Sequence, residues 1–194
     1  MLEVPNHWTT PRHKAAFVRK KLSSPVAIAI DKGIITHDDT ILDYGTGKGQ
    51  VVELLQQQGY NAVGYDPYYF PNTPLESADV VMLCYVAGVI ENSLERSQTI
   101  EKAWHLTNKT LLIAAQVQHS RGKIQHGDGW LTKWSTFAKY WTEPEWRKYV
   151  EGITGIRAKR IGKGILVLSK QGGGVLETSR ANTPPEVSLK VIAA

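Results

Sequence analysis

Residues 41–50 read ILDYGTGKGQ: an apolar run that closes on an acid, Asp43, followed by Gly45, Gly47 and Gly49 at alternate positions. Glycine is spent in this way where a backbone must turn sharply and let something lie against it. The flanking pattern says what the turn belongs to. TILDYG (40–45) has the character of a buried strand, QVVELLQQQG (50–59) that of an amphipathic helix stopped by Gly59, and NAVGYD (61–66) that of a second strand. ADVVMLCYV (78–86) and TLLIAAQV (110–117) are apolar throughout, as strands covered on both faces must be, with the helix 93–107, capped by Asn92, between them. Strands alternating with helices predict an α/β chain with a mostly parallel, doubly wound sheet. The glycines of GIRAKRIGKGILVLSK (155–170) predict an antiparallel hairpin at its end, turning near Gly162 to Gly164.

In 194 residues there is room for one well-buried core, expected over 35–170. Before it, residues 1–34 read as a basic helical segment: one helix over 13–22, and a second beginning at an N-cap Ser24, with Pro25 at its first position and Gly33 as its stop. After it, 171–194 carries three glycines and a proline pair without a period and reads as a flexible tail. The polar stretch 118–129 reads as a long functional loop, and Thr142 with Glu145 as a capping box opening another helix. No apolar run approaches the roughly 20 residues of a membrane span. The opening residues lack the zones of a secretory signal, and Cys84 is the only cysteine, so a reducing cytoplasm is expected.

Three ligands compete for the glycine turn. A phosphate-cradling loop requires Gly-Lys-Ser/Thr, but Gly47-Lys48 is followed by Gly49 and Leu42 stands where its first glycine belongs. The dinucleotide pattern puts its third glycine at position 50, which is Gln50. What remains, Asp43-x-Gly45-x-Gly47-x-Gly49, resembles the first motif of class I methyltransferases, which bind S-adenosylmethionine. An acid ahead of the glycines suits a ligand with an ammonium and a sulfonium and no pyrophosphate. Asp66, 23 residues after Asp43 at the end of the next strand, has the spacing for a carboxylate that accepts from both ribose hydroxyls; its bland alternative is a turn-forming Asp before Pro67. DPYY (66–69) imitates a base-methylating box but follows the wrong strand, so Tyr68 and Tyr69 are read as neighbours of the adenine or as turn packing. Only 67–77 separates the second strand from the central one, too little for a helix and a strand, so one edge strand of the usual pattern is expected to be missing.

Taken together, RHKAAFVRKKLSSPVAIAI (12–30), DYGTGKGQ, GYDPYY, ADVVMLCYVAGVIEN (78–92) and GDGWLTKWSTFAKYWTEPE (127–145) resemble the DNA phosphorothioation-associated methyltransferase family. The resemblance covers about residues 12–150 and implies the class I fold, S-adenosylmethionine as cofactor and a link to modified DNA. By position it implies cofactor contacts at Asp43, Gly45, Gly47, Gly49 and Asp66, with Cys84 and Tyr85 bordering the methyl group; Tyr44, Thr46, Pro67 and Tyr68, which stand beside these residues in the chain, are counted with them as candidate cofactor contacts. Cys84 lacks the preceding proline of a cytosine-methylating nucleophile and reads better as a small buried hydrophobe; Glu91 reads as a helix-start acid.

Charge is divided along the chain. Residues 1–30 hold five Lys or Arg against one acid, 31–120 five against eleven, and 121–170 eleven against four, within a net +5. Basic flanks around an acidic centre suit a cationic ligand in the middle and a polyanion at the rim, or else are simply solvated helix faces. For the substrate, Arg12, His13, Lys14, Arg19, Lys20, Lys21 and Lys133 are the candidates, the last within a run that interleaves Trp130, Trp134, Tyr140, Trp141, Trp146 and Tyr149 with Lys139, Arg147 and Lys148. Trp141 and Trp146 are expected in the core. A nucleic acid, DNA above all, is the expected partner, with a non-catalytic binding module and a small-molecule enzyme as alternatives. His13, Tyr85 and Asp128, and behind them His119 and His126, are the candidate proton-handling groups near the cleft, and no metal site is assigned.

Overall fold

The computed structural model describes residues 5–117 and 124–170. The expectations for His119 and for the tail 171–194 fall outside these described residues.

Alternation of apolar residues along the strands builds a sheet with two buried faces. The strands are β1 (Thr40–Tyr44), β2 (Asn61–Tyr65), β3 (Ala78–Cys84), β4 (Thr107–Ala114), β8 (Lys159–Gly162) and β9 (Ile165–Ser169), in the order β2-β1-β3-β4-β9-β8. β1, β2, β3 and β4 run parallel; β9 pairs antiparallel with β4, and β8 with β9. The hairpin thus adds the antiparallel edge expected from its glycines. β2 is the edge of the sheet on the other side, with no strand beyond it among the described residues, in keeping with the short 67–77 connection.

One face of the sheet presents Leu42, Val81, Leu83, Leu111, Ile113, Leu166 and Leu168 to α3 (Ser93–Leu106) and α4 (Glu143–Thr154). The opposite face presents Ile41, Val80, Met82, Leu112, Ala114 and Val167 to α1 (Ser24–Asp31) and α2 (Gln50–Gln57). The central strands β1, β3, β4 and β9 therefore contribute to both cores with a period of two, which is why β3 and β4 read as unbroken apolar runs. Trp141 and Trp146 are buried together, ring centroids 4.9 Å apart, as their sequence context predicts. Thr142 and Glu145 form the predicted capping box of α4, and Asn92 caps α3 by accepting from Leu94 and Glu95.

Three expectations are corrected. The N-cap of α1 is Ser23, not Ser24, so Pro25 enters one residue later than predicted. No helix spans 13–22: a single 3₁₀ turn, Arg12–Ala15, opens into extended chain at Ala16. A short helix needs an apolar face to bury, and here Phe17 and Val18 point outward, each 66% exposed. Finally, within the stretch read as a loop over 118–129, of which 118–123 lie outside the described residues, 124–129 begin a small antiparallel sheet, β5 (Ile124–His126), β6 (Gly129–Leu131) and β7 (Phe137–Ala138), whose first hairpin turns at Gly127-Asp128. No helix among the described residues is long and apolar enough to cross a membrane.

Candidate functional site

In a parallel sheet the ligand crevice lies at the carboxyl ends of the strands, where the turn after β1 stands. Gly45 and Gly47 take φ of +90° and +60°, a conformation that side chains disfavour. The turn is held by Gly45 and Thr46 amides donating to the Tyr65 carbonyl at 2.7 and 3.0 Å and by the Gly47 amide donating to Asp66 Oδ2 at 3.1 Å. A Cβ on Gly45 would overlap the Val86 side chain, and one on Gly47 would lie 3.0 Å from Ala16 Cβ. Gly49 instead serves as the N-cap of α2 and packs against Phe70.

Asp43, near the end of β1, is buried beneath the turn, only 6% exposed. Burial pushes its carboxyl up to about 6, and the neighbouring Asp66 charge adds to this; Arg19 opposes it. The Thr46 hydroxyl lies near enough to oppose it too, although no hydrogen bond of good geometry reaches Thr46 Oγ1. The folded state therefore keeps a proton that the unfolded chain releases near 3.8, so stability falls as pH rises from about 4 to 6 and stays lower above that. Asp43→Asn is expected to raise the melting stability of the ligand-free protein by about 1–3 kcal/mol at pH 7.5 and to leave it unchanged at pH 4. Calorimetric melts at the two pH values check this.

Asp66 forms the turn that its bland reading anticipated: Oδ1 accepts from the Tyr68 and Tyr69 amides at 2.9 and 3.0 Å. It also lines the cavity, and its Oδ2, which accepts only the Gly47 amide, retains acceptor capacity. Tyr69 lines the cavity as well and donates its hydroxyl to the His13 carbonyl at 2.9 Å. Tyr68 does not line it; its ring is covered by His13, centroids 4.3 Å apart and nearly parallel.

These contacts belong to a strap, residues 7–19, that crosses the crevice. Its anchor is Arg12, a predicted substrate contact that proves to be 7% exposed and committed internally. Arg12 Nε donates to Glu91 Oε2 at 2.6 Å, and its two terminal nitrogens donate to Glu95 at 2.5 and 2.6 Å. Glu91, read as a helix-start acid, also accepts from the amides and hydroxyls of Thr9 and Thr10. His13 lies at the Asp66 side of the crevice, with Nδ1 buried and unpartnered; burial and Lys14 lower its pKa against the pull of Asp66, so the ring is neutral at pH 7. Lys14 and Arg19 line the cavity; Lys20 is exposed beyond it.

The small sheet forms the facing wall. Arg96, 1% exposed, donates to both oxygens of Asp128 at 2.7 and 2.9 Å and to the Ile90 carbonyl, while Lys139 donates to the Asp128 carbonyl at 2.6 Å. Asp128 is thereby a tie between α3 and the small sheet, and it lies outside the cavity, as does His126. Lys133 stacks on exposed Trp134, 4.4 Å from its ring centroid; only the tryptophan lines the cavity.

Between these walls lies a cavity of about 990 Å³. That is the upper end of the roughly 300–1,000 Å³ range of small-molecule sites and leaves room for two ligands side by side. Asp43, Tyr44, Gly45, Thr46, Gly47, Asp66, Pro67, Cys84 and Tyr85 all line it, so the structure brings together residues up to 42 positions apart. Burial raises the Cys84 thiol and the Tyr85 hydroxyl, keeping both protonated at neutral pH. Tyr85 holds φ of 65° at the tip of β3 while its amide donates to the Ala114 carbonyl at 2.7 Å; such strain is typical of functional sites. Sequence reasoning missed Ser23, Thr9, Thr10 and Val86, the last because nothing in a valine advertises that it fills the space above a glycine.

Comparison with known proteins agrees with this fold. Among solved structures, Burkholderia thailandensis 1,6-didemethyltoxoflavin-N1-methyltransferase, crystallised with 1,6-didemethyltoxoflavin and S-adenosylhomocysteine, superposes with a TM-score of 0.56 at 11% identity, covering 83% of this chain and 79% of that one. A SAM-dependent methyltransferase from Methanosarcina mazei gives 0.51 at 16% identity, over 73% of this chain and 96% of its own. The magnesium protoporphyrin IX methyltransferase of Synechocystis PCC 6803 with bound S-adenosylhomocysteine gives 0.50 at 15%, over 81% and 92%. These likenesses show the class I methyltransferase fold. No curated protein sequence matches the chain. A family model described as a methyltransferase domain matches residues 12–151, from the anchor of the strap to the last helix, and the chain belongs to that family.

Proposed function

We propose that the protein is an S-adenosylmethionine-dependent methyltransferase whose acceptor is a nucleic acid, DNA in particular. The observation that carries the donor is the bare Gly45–Gly47 turn, with Asp43 beneath it and Asp66 beside it, opening into the cavity at the head of the parallel strands. These residues fit the group: a turn without side chains for close approach, a buried acid for its ammonium and a second acid for its ribose. When bound, S-adenosylmethionine supplies a methyl group activated by its sulfonium. The chain's own part is to hold the acceptor in line and to exclude water with the strap and the small sheet. Tyr85, protonated at neutral pH, serves there as a hydrogen-bond donor rather than as a base.

The rim supports the acceptor reading. Phe17 and Trp134, 66% and 57% exposed, both border the cavity. Lys133 lies on Trp134, and Lys14, Lys20 and Lys21 are exposed and without ion-pair partners among the described residues. Exposed aromatics among unpaired cations suit stacked bases and phosphates. The resemblance to the phosphorothioation-associated family points the same way, to sulfur-modified DNA. A small-molecule acceptor is the second reading, favoured by the two-walled cavity and by the small substrate in the Burkholderia structure.

Transfer of labelled methyl to plain and phosphorothioated DNA, single-stranded and duplex, tests the proposal. Label on DNA is expected, and Lys20→Ala with Lys21→Ala should lower the slope of log affinity against log salt by about 1.4–1.8. Donor binding with no affinity for DNA overturns the acceptor assignment in favour of a small molecule. Binding of both without transfer reduces the protein to an accessory module.

A further inference from the structure

The geometry points to a carboxylate-binding subsite formed by Arg19, Ser23 and the first turn of α1, and we infer that it holds the carboxylate of the donor's methionine part. The inference rests on the donor assignment above and extends it to residues outside the glycine motif.

Three features within residues 19–26 line the cavity. Ser23 is 4% exposed, lines the cavity, and its Oγ has no hydrogen-bond partner. A buried hydroxyl left unpaired is destabilising and calls for an explanation. Ser23 is also the N-cap of α1, where serine ordinarily accepts from the helix's own amides, yet it makes no such bond. Its oxygen is therefore free to donate to a ligand. The eight-residue α1 begins beside it, with Ser24 and Val26 also lining the cavity, so the positive end of the helix and its unpaired amides face the same space. Finally, Arg19 lines the cavity half-buried, with no carboxylate in ion-pair range among the described residues. A hydroxyl, a helix start and a guanidinium, set within eight residues of chain and lining one cavity, are the elements of an anion site.

The position selects the anion. The charge of Arg19 is felt at Asp43, Cys84 and Tyr85, which places it over the tips of β1 and β3 rather than at the outer rim. An α-amino acid bears its ammonium and carboxylate on one carbon, so its receptor needs an acid and a cation side by side. Asp43 and Arg19 are such a pair. With Asp66 at the ribose, the methionine part runs from the glycine turn toward α1, and its carboxylate arrives at Ser23.

Calorimetry with two probes tests this: S-adenosylmethionine, and decarboxylated S-adenosylmethionine, which keeps the sulfonium and the amine but lacks the carboxylate. The unsubstituted protein should favour the first by about 10- to 100-fold, the range of charge-assisted hydrogen bonds. Arg19→Met should remove most of that preference by weakening S-adenosylmethionine alone, leaving the decarboxylated probe within about twofold. Ser23→Ala should act in the same direction by about 3- to 10-fold. Because the hydroxyl makes no cap bond, its melting temperature should not fall. Equal weakening of both probes, or of neither, overturns the inference. Unchanged donor affinity with a raised KM for the acceptor reassigns the subsite to the acceptor and overturns it as well. If the unsubstituted protein binds neither probe, the donor assignment itself fails, a result distinct from the others.

Discussion

Gly47→Val is expected to abolish donor binding in a protein that still folds. The residue holds φ of +60°, where a β-branched side chain is strained by about 1–3 kcal/mol, and for a domain of this size that lowers the melting temperature by roughly 3–10 °C. The larger effect is steric. The new Cβ would lie 3.0 Å from Ala16 Cβ, and its methyl groups would crowd the space between turn and strap that we assign to the donor. Affinity for S-adenosylhomocysteine should drop at least about 100-fold by calorimetry. Gly33→Ala is the control: it places a side chain at φ of +64° with nothing within 4 Å, so it shares the strain without touching the cavity. Retention of full affinity in Gly47→Val would refute the placement of the donor.

Arg12→Ala should produce the largest loss of order. Arg12 and Glu91 are 6% and 5% exposed as side chains, and removing one member of a buried pair strands the other at a cost of about 3–5 kcal/mol. The strap can escape that cost by detaching, so the loss should appear locally rather than in the melting of the sheet. Tryptic cleavage after Arg19, Lys20 and Lys21 at pH 7 should accelerate by roughly 100-fold or more. The same latch has a pH dependence of definite sign. Hydrogen bonding and the Arg12 charge outweigh burial and hold the Glu91 carboxyl at about 2, below its ordinary 4.5. The latch is complete above pH 4.5 and is lost as pH falls toward 2. Amide exchange in residues 9–16 should therefore be flat from pH 8 to 5, after correction for intrinsic rates, and should lose protection in acid. Protection unchanged by Arg12→Ala would show that the ion pair is not what seats the strap.

The parallel core was legible because its signals are local. Val80 to Leu83 and Leu111 to Ala114 advertise burial on both faces, and a glycine turn between a strand and a helix has few other uses. The missing edge strand followed from the length of one connection. What escaped was set by contacts between residues far apart in the chain. Arg12 looks like a solvated cation until Glu91 and Glu95, some 80 residues away, enclose it, and those same contacts draw 13–22 out of the helix its composition suggests. Asp128 looked available until Arg96 claimed both its oxygens. The N-cap of α1 was misplaced by one because two serines precede Pro25, and the structure uses the buried one, Ser23, leaving Ser24 exposed at the first helical position. That choice left Ser23 without a partner, a fact no reading of the sequence could supply.

The two walls of the cavity are appended to the parallel core rather than cut from it. The strap is seated by one cluster of charges and the small sheet by another, while the faces of the strands beneath them are covered mainly by the four α-helices. Substitutions in the strap or the small sheet can therefore reshape the mouth of the cavity while leaving the pairing of the central strands as it is.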